Sequence, residues 1–260
     1  FRGGRDCLSV NSTTPYRPRA FQAATAQAAT AKLARGANVL VRKGDALIGF
    51  NTEGQGGVSY LERTGFSFAG KRVAVCGTGP TALSILHASS LAGADVALLV
   101  GRDKERTRRA LEAYVERFGL MATATIDLPP ARPHHRSFRT AYERTTFKFG
   151  SYATSEKALA SADLVVNATP LGMKAGDTAP FDTALLRPSQ TVFDAVYGHG
   201  ETALVAAARE AGCTMFDGSG MLVAQAVATV LTVCDLADVE VKLEEAELFD
   251  TMAQAAGFDC

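Results

Sequence analysis

The hexapeptide GTGPTA at 77–82 constrains the fold of this chain more than any other stretch. It matches Gly-x-Gly-x-x-Ala, follows the β-branched run KRVAVC (71–76), and opens a helical stretch. In that context Gly77 makes a tight turn, Gly79 lets the backbone approach a ligand, and Ala82 lets the helix pack closely on the strand. The hexapeptide therefore predicts the first strand–helix unit of an α/β domain.

Further apolar runs continue this alternation. The predicted strands are DVALLV (95–100), MATATI (121–126), ADLVVNAT (162–169), TVFDAV (191–196) and CTMFD (213–217), and helices are predicted at 103–118 and 201–212. Strands that alternate with helices indicate a doubly wound parallel sheet, because parallel neighbours need helical crossovers. The predicted fold class is therefore α/β, with a Rossmann-type sheet.

Outside that block the chain is predicted to be mostly helical. An Ala-rich helix is expected at 20–35, and two helices at 219–233 and 238–256. The segment 39–50 is expected to form a hairpin with Gly44 and Asp45 at its turn.

The basic, proline-containing segment 129–154 does not fit the alternation. We expect a surface insertion there, with a short helix or an extra strand. Its adjacent His134 and His135 do not predict a metal site, because neighbouring side chains of an extended chain point to opposite sides.

Composition narrows the class of protein. Lys plus Arg and Asp plus Glu both total 27, which argues against bulk attraction to nucleic acid or to an anionic membrane. The longest apolar run, 221–234, is interrupted by Gln225 and is too short to span a bilayer. The five scattered cysteines predict free thiols in a reducing cytoplasm. The chain begins FRGGRD, without Met or a signal peptide, which suggests a fragment of a longer protein.

The strand–turn–helix context predicts dinucleotide binding at 77–82, with a plain α/β turn as the alternative. A helix N-terminus offers free N–H groups and a positive dipole end to the pyrophosphate. The next strand ends in VGRDKER, where Arg102 and Arg106 lie one helical turn apart. Guanidinium–phosphate pairing favours NADP over NAD. Asp103 is compatible with binding a ribose hydroxyl or with capping the following helix.

Several stretches together resemble the shikimate dehydrogenase family, in order and over essentially the whole chain. They are GFNTEGQG (49–56), NATPLGM (167–173), FDAVY (193–197) followed by Glu201 and Thr202, and DGSGMLVAQA (217–226). NSTTPYR (11–17) and GANVL (36–40) are similar to two further family segments. The family's Ser-x-Ser motif would precede Phe1, so we expect the N-terminal part of the substrate domain to be missing.

The resemblance implies an oxidoreductase that interconverts 3-dehydroshikimate and shikimate in aromatic amino-acid biosynthesis. It implies an NADP-binding domain at 59–218 and a smaller substrate-binding domain at 1–58 and 219–260. The implied catalytic pair is Arg17 and Glu53, and the implied substrate-binding residues are Thr13, Asn38, Tyr197 and Gln225. The implied cofactor-binding residues are Gly77, Thr78, Gly79, Pro80, Thr81, Gly101, Arg102, Asp103, Arg106, Asn167, Ala168, Thr169, Val196, Gly218 and Met221.

Some of these residues have a simpler interpretation as well. Asn38 is compatible with a turn amide, Tyr197 with a core aromatic, and Met221 with a core methionine. His199 is compatible with an exposed loop residue or with a substitute proton carrier. The expected partner is a small molecule, with no nucleic acid, membrane or metal, and the chain is expected to be a monomer or a homodimer.

The catalytic pair departs from the family pattern, which has Lys and Asp at these positions. Arg17 stays protonated, so it can polarise a carbonyl oxygen but is a poor proton shuttle. Glu53 keeps the carboxylate and adds a methylene, which moves the charge by about an ångström. Three outcomes are open: Glu53 acts as base through a water, the substrate is a relative such as quinate, or the chain is a catalytically weakened ligand-sensing module.

Overall fold

The computed structural model describes residues 8–124, 132 and 135–258. Its strands are β1 Ser9–Asn11, β2 Ala26–Gln27, β3 Val39–Lys43, β4 Ala46–Phe50, β5 Arg72–Cys76, β6 Val96–Gly101, β7 Thr146–Ser151, β8 Leu164–Asn167, β9 Thr191–Asp194 and β10 Thr214–Phe216. Its α-helices are α1 Arg17–Ala23, α2 Ala29–Ala34, α3 Glu53–Arg63, α4 Pro80–Leu91, α5 Lys104–Ala124, α6 Phe138–Arg144, α7 Glu156–Ala160, α8 Ala203–Glu210, α9 Gly218–Leu236 and α10 Glu245–Ala256.

A six-stranded sheet in the order β10-β9-β8-β5-β6-β7 forms the larger layer, and every neighbouring pair is parallel. Both faces of its central strand are buried: Val73 and Val75 belong to one apolar cluster, and Ala74 and Cys76 to the other. Helices cover both faces, as parallel sheets require. The predicted doubly wound α/β fold is confirmed.

A second, four-stranded sheet in the order β1-β3-β4-β2 precedes the larger one. Its centre is the hairpin of β3 and β4, in which Val39 pairs with Phe50 and Lys43 with Ala46. Gly44 at the turn has φ +59°, a conformation that glycine adopts at little cost. The predicted hairpin is confirmed.

The predicted helix at 20–35 is wrong, because the chain leaves the helical path at Ala24. The amide of Thr25 bonds to the carbonyl of Leu47 at 2.8 Å, and that of Ala28 bonds to Gly49 at 2.9 Å. The short strand β2 that results lies parallel to β4. Sheet pairing therefore overrides the helix propensity of this Ala-rich segment, which is a weak preference per residue.

The predicted strand at 121–126 is also wrong where the structure describes it, because 121–124 are the last turn of α5. Phe118 and Ala122 are buried on the same side of that helix, at a spacing of four residues. The strand that pairs with β6 at the edge of the sheet is instead β7, which lies inside the segment 129–154 that was predicted to be a surface insertion. That segment therefore contains both the short helix α6 and a strand that forms one edge of the main sheet.

The segment 129–154 also contains the two adjacent histidines and several arginines. His134 lies outside the described residues, whereas His135 and Arg132 both contact the carboxylate of Glu62 on α3. Within the described residues no group of His, Cys, Asp and Glu side chains has the arrangement of a metal site.

The two C-terminal helices differ in their bounds from the prediction. At 19 residues, α9 extends beyond the predicted helix at 219–233, and α10 begins at Glu245, seven residues after the predicted start at 238. Among the described residues α9 has the length and composition of a membrane span. It packs against α3 and α10, however, and buries Met221, Val223, Ala224 and Val227 in the main core. Core helices of globular proteins have the same composition.

Candidate active site

A cavity of about 480 Å³ opens where the carboxyl ends of β5, β8 and β9 meet the segment before α1. This is the edge at which ligands bind to open parallel sheets. Its lining residues are Thr13, Thr14, Pro15, Arg17, Pro18, Glu53, Gly79, Pro80, Thr81, Ala168, Thr169, Pro170, Met173, Ala195, Val196, Tyr197, His199, Met221 and Gln225.

Arg17 and Glu53 form an ion pair at this cavity, through Nη2 and Oε1. Arg17 begins α1, and its Nη1 also donates a hydrogen bond to the hydroxyl of Thr14. The side chain of Arg17 is 13% exposed and that of Glu53 only 1%. The guanidinium is therefore the more accessible member of the pair, with the carboxylate behind it.

Burial raises the pKa of the Glu53 carboxyl above its ordinary value. The positive charge of Arg17, the hydroxyl of Thr81, which donates to Oε2 at 3.2 Å, and the side chain of Asn51 lower this pKa and so oppose the effect of burial. Glu53 also stands in the first turn of α3, where the helix dipole favours a negative charge. Residues 53–57 form the start of α3.

The backbone around Glu53 is fastened to α4 through Asn51 and Ser84. The side-chain oxygen of Asn51 accepts from the amide of Glu53 at 3.1 Å and from the hydroxyl of Ser84 at 2.8 Å. Ser84 accepts in turn from the amide of Gly54 at 2.8 Å. A Cβ on Gly54 would lie 2.0 Å from the carbonyl oxygen of Ser84. Only glycine permits this close approach of α3 to α4.

Asn38 does not line the cavity. It is buried, accepts from the amide of Thr52 at 2.8 Å, and donates to the hydroxyl of Thr52 at 2.9 Å and to the side-chain oxygen of Gln225 at 3.4 Å. Gln225 does line the cavity, and its backbone carbonyl accepts from Thr229 at 2.8 Å. Asn38 therefore orients the Gln225 amide from behind. Its predicted direct contact with substrate stays a prediction.

Asp194, at the carboxyl end of β9, joins the two loops that form another wall of the cavity. Its Oδ1 accepts from Asn167 at 2.9 Å and from the amide of Val196 at 3.1 Å, and its Oδ2 accepts from Thr202 at 2.6 Å. Asn167 also bonds to Thr169, at 2.7 Å, so the loop after β8 is held to the same carboxylate. Burial raises the pKa of Asp194, and these three donors oppose that effect.

Four further predicted residues meet at the cavity. Thr13, Tyr197, His199 and Met221 all line it, from three segments that lie 22 or more residues apart in the chain. Met221 is buried and also belongs to the main core, so both interpretations of this residue apply.

The glycine-rich turn has the shape that a pyrophosphate requires. Gly77 has φ +121°, and a Cβ there would lie 2.7 Å from the carbonyl oxygen of Ala168. A Cβ on Gly79, in contrast, would meet no atom within 4 Å, so its backbone faces open space. Pro80 is the first residue of α4, where its lack of an N–H costs nothing. The free N–H groups of this helix end fit a dinucleotide phosphate.

The basic residues after β6 lie outside the cavity and are exposed. Asp103 accepts from the amide of Arg106 at 2.6 Å, which caps α5. Of its two interpretations, capping is the one for which the structure gives a contact. Arg102 and Arg106 stand at the same helix end, which suits a phosphate group.

The remaining predicted cofactor residues, Thr78, Gly101 and Gly218, do not line the cavity either. The two glycines lie where there is no room for a side chain: a Cβ on Gly101 would be 2.5 Å from the hydroxyl of Thr107, and one on Gly218 would be 2.5 Å from the carbonyl of Ala195. Their binding roles stay predictions.

Sequence reasoning missed several residues of this site. Thr14 holds Arg17, Ser84 holds the backbone at Glu53, and Asp194 with Thr202 joins two loops. Thr14, Asp194 and Thr202 stand inside the motifs quoted above, which was the available signal. Ser84 carries no local signal, because its role depends on the crossing of α3 and α4.

The chain was compared with family models, with curated proteins and with solved structures. No family model matches the chain. The shikimate dehydrogenase (NADP(+)) of Geobacter metallireducens is 30% identical over 220 residues, which cover 83% of this chain and 68% of that protein. The shikimate dehydrogenase (NADP(+)) of Symbiobacterium thermophilum is 31% identical over 220 residues, covering 84% of this chain and 67% of that protein.

Among solved structures, shikimate 5-dehydrogenase from Listeria monocytogenes, in complex with shikimate and NAD, superposes with a TM-score of 0.71. It is 22% identical, and the match covers 96% of this chain and 77% of that one. At this identity the likeness supports the fold alone. It extends over both sheets of the present structure.

Proposed function

Because the chain belongs to the shikimate dehydrogenase family, we propose that it is an NADP-dependent oxidoreductase that interconverts 3-dehydroshikimate and shikimate. The observation that carries this proposal is the ion pair of Arg17 and Glu53 in a cavity that the glycine-rich turn also lines. A cation and a carboxylate are thereby available beside the nucleotide-binding end of the sheet.

The cavity suits a small polar ring. Its volume of about 480 Å³ is in the ordinary range for ligand sites. The hydroxyls of Thr13 and Tyr197 and the amide of Gln225 offer hydrogen bonds for several ring hydroxyls and a carboxylate. Asn38 acts behind them by fixing the Gln225 amide.

The cofactor would be held by the turn at 77–79 and by the N-terminus of α4. Arg102 and Arg106 would bind the 2′-phosphate, which is why we propose NADP over NAD. When bound, NADPH supplies the hydride that reduces the substrate carbonyl. Thr169 and Met221 line the cavity between the two binding regions and would fix the plane of the reacting ring.

The protein's own contribution to the reaction is the control of charge and proton. Arg17, the more exposed member of the pair, donates to the carbonyl oxygen and stabilises the negative charge that develops on it. Since a guanidinium keeps its proton, Glu53 is the group that gives the proton in reduction and takes it in oxidation. Its raised pKa favours the protonated form that reduction requires.

The direct test is the loss of NADPH absorbance when 3-dehydroshikimate is added to the protein. We expect turnover with NADPH and much less with NADH. Glu53→Gln keeps the shape of the side chain but cannot exchange a proton, so its kcat should fall at least about 100-fold. No NADPH oxidation at high protein concentration, with the full native N-terminus present, would contradict the proposal. A panel with shikimate and quinate distinguishes the two substrates.

The departure of the catalytic pair from Lys and Asp favours a second candidate, a ligand-binding module with weak turnover. The double variant Arg17→Lys with Glu53→Asp separates the two. If turnover rises greatly while substrate affinity stays constant, the weakened module is supported. Unchanged or lower turnover supports an Arg–Glu pair that is adapted to catalysis.

The wider assignments belong to the same proposal. Residues 1–58 and 219–260 would form the substrate-binding part and 59–218 the NADP-binding part. The only expected partners are the substrate and cofactor, with the chain as a monomer or homodimer in the cytoplasm. The described cysteines are free thiols, in keeping with that compartment. Limited proteolysis with and without NADP would test the domain boundary at 58–59.

A further inference from the structure

The carboxylate of Glu53 is held at both oxygens, by residues from the two sides of the cavity. Arg17, the first residue of α1, holds Oε1. Thr81, in the first turn of α4, donates to Oε2 at 3.2 Å. With only 1% of the Glu53 side chain exposed, these contacts and not water determine its orientation.

Thr81 lies between the cavity and the helix end that is proposed to bind the cofactor. It lines the cavity, and it follows Pro80 at the helix end whose N–H groups fit the cofactor phosphate. Its backbone amide serves that helix end, whereas its hydroxyl is committed to Glu53. A single residue therefore links the cofactor-binding helix to the carboxylate of the catalytic pair.

The surrounding packing keeps this contact in place. Ser84, one turn after Thr81, accepts from the amide of Gly54 and donates to Asn51, which also holds the amide of Glu53. If α3 moved away from α4, the hydrogen bonds of Ser84 to Gly54 and Asn51 would break. The hydroxyl of Thr81 is thus presented to Glu53 by two helices in fixed relation.

We propose that Thr81 is a positioning residue for the carboxylate of Glu53: its hydroxyl orients Oε2 and favours the ionised form, opposite Arg17. The role of that carboxylate in proton transfer rests on the proposed function. The contact between Thr81 and Glu53 does not rest on it. A donated hydrogen bond stabilises the charged form of a carboxyl, and here it acts against the burial that disfavours the charge.

Of the other groups near Glu53, the side chain of Asn51 also favours the ionised form, with a smaller effect than Thr81. Arg17 is the charged residue in contact with the carboxylate among the described residues, and it holds the other oxygen. The titratable Tyr197 and His199 line the same cavity, from the loop after β9. On α9, the cavity-lining side chains are the uncharged Met221 and Gln225.

The test measures the ionisation of Glu53 directly, so it does not depend on turnover. Protein with ¹³C at the glutamate side-chain carboxyl is titrated by NMR, and Glu53→Gln identifies the resonance. Thr81→Val keeps the shape of the side chain and removes the donor, so the acid ionisation constant of Glu53 should fall roughly three- to tenfold. Thr81→Ser keeps the donor and should titrate within about twofold of the wild type.

Thr78→Val is the matched control, since it removes a hydroxyl from the same turn that makes no contact with Glu53 in the structure, and Glu53 should titrate as in the wild type. Thr81→Ala removes the donor if valine is not tolerated.

Two results would overturn the proposal. One is a Glu53 titration in Thr81→Val, or in Thr81→Ala, that matches the wild type. The other is an equal shift in Thr81→Ser and Thr81→Val, which would indicate a general packing effect. If the titration behaves as expected but no substrate turns over, the proposed function fails and the positioning role stands. With turnover, the acid limb of kcat/KM for oxidation and the alkaline limb for reduction should both move with the titration.

Discussion

Replacing Arg17 with Gln should destabilise the protein in a way that depends on pH. The change removes the cation in contact with a carboxylate that is 1% exposed. An unpaired buried carboxylate is costly, so Glu53 should take up a proton instead of staying charged. The variant therefore has a Glu53 whose folded-state pKa is raised further than in the wild type.

The cost of that protonation sets the magnitude. For a carboxyl with an ordinary pKa of 4.5, protonation at pH 7 costs about 3.4 kcal/mol at 1.36 kcal/mol per pKa unit, and at pH 5 about 0.7 kcal/mol. Burial already raises this pKa in the wild type, so the difference between the proteins at pH 7 should be smaller than about 3.4 kcal/mol and larger than at pH 5. A raised folded-state pKa gives stability that is fully present below pH 4.5 and is lost as the pH rises through the folded-state value.

Urea unfolding at pH 5, 6 and 7 measures this difference. Arg19→Gln is the matched control, because it removes an exposed arginine from the same helix and should cost less than about 0.5 kcal/mol at every pH. The double variant Arg17→Gln with Glu53→Gln lacks the titrating group and should lose the pH dependence. A destabilisation by Arg17→Gln that is equal at pH 5 and pH 7 would refute the reasoning.

Three further changes test other parts of the site. Arg106→Ala should raise the KM for NADP about 10- to 100-fold and leave that for NAD nearly constant, because one charged hydrogen bond to phosphate is lost; equal effects on both cofactors would contradict the assignment. Asp194→Ala should leave the donors of two loops unpaired, lowering kcat and stability together, whereas Asp194→Asn keeps the Oδ1 contacts and should retain most of the stability in thermal unfolding. Gly54→Ala should lower the Tm by about 3–10 °C, since its Cβ would lie 2.0 Å from the carbonyl of Ser84; an unchanged Tm would show that α3 can shift freely.

The local patterns that predicted structure correctly were those with a strong physical cause. The turn at 77–82 needs glycine, so its context indicated the strand, the turn and the helix together. The hairpin at 39–50 was predicted from a Gly-Asp turn between two apolar runs. Weak preferences failed: the Ala-rich stretch at 20–35 is interrupted by β2, and the run at 121–124 continues α5. In both cases packing against distant residues decided the outcome.

For the candidate site too, some properties could be predicted from the sequence and others could not. Sequence motifs brought Arg17, Glu53 and Gln225 into consideration, and all three line one cavity. Motifs did not separate residues that face the cavity from those behind it, because that depends on side-chain direction after folding. Asn38 illustrates this, since its amide bonds to Thr52 and Gln225 and does not line the cavity.

The sequence by itself determined the parallel α/β class and the position of the glycine-rich turn, because these depend on residue types at short spacing. Only the tertiary structure decided that Glu53 lies almost fully buried, between Arg17 on one oxygen and Thr81 on the other. These three residues are brought together by the crossing of α3 and α4 beside α1. The ionisation of a carboxylate depends on its burial and its donors, and both are properties of the assembled fold.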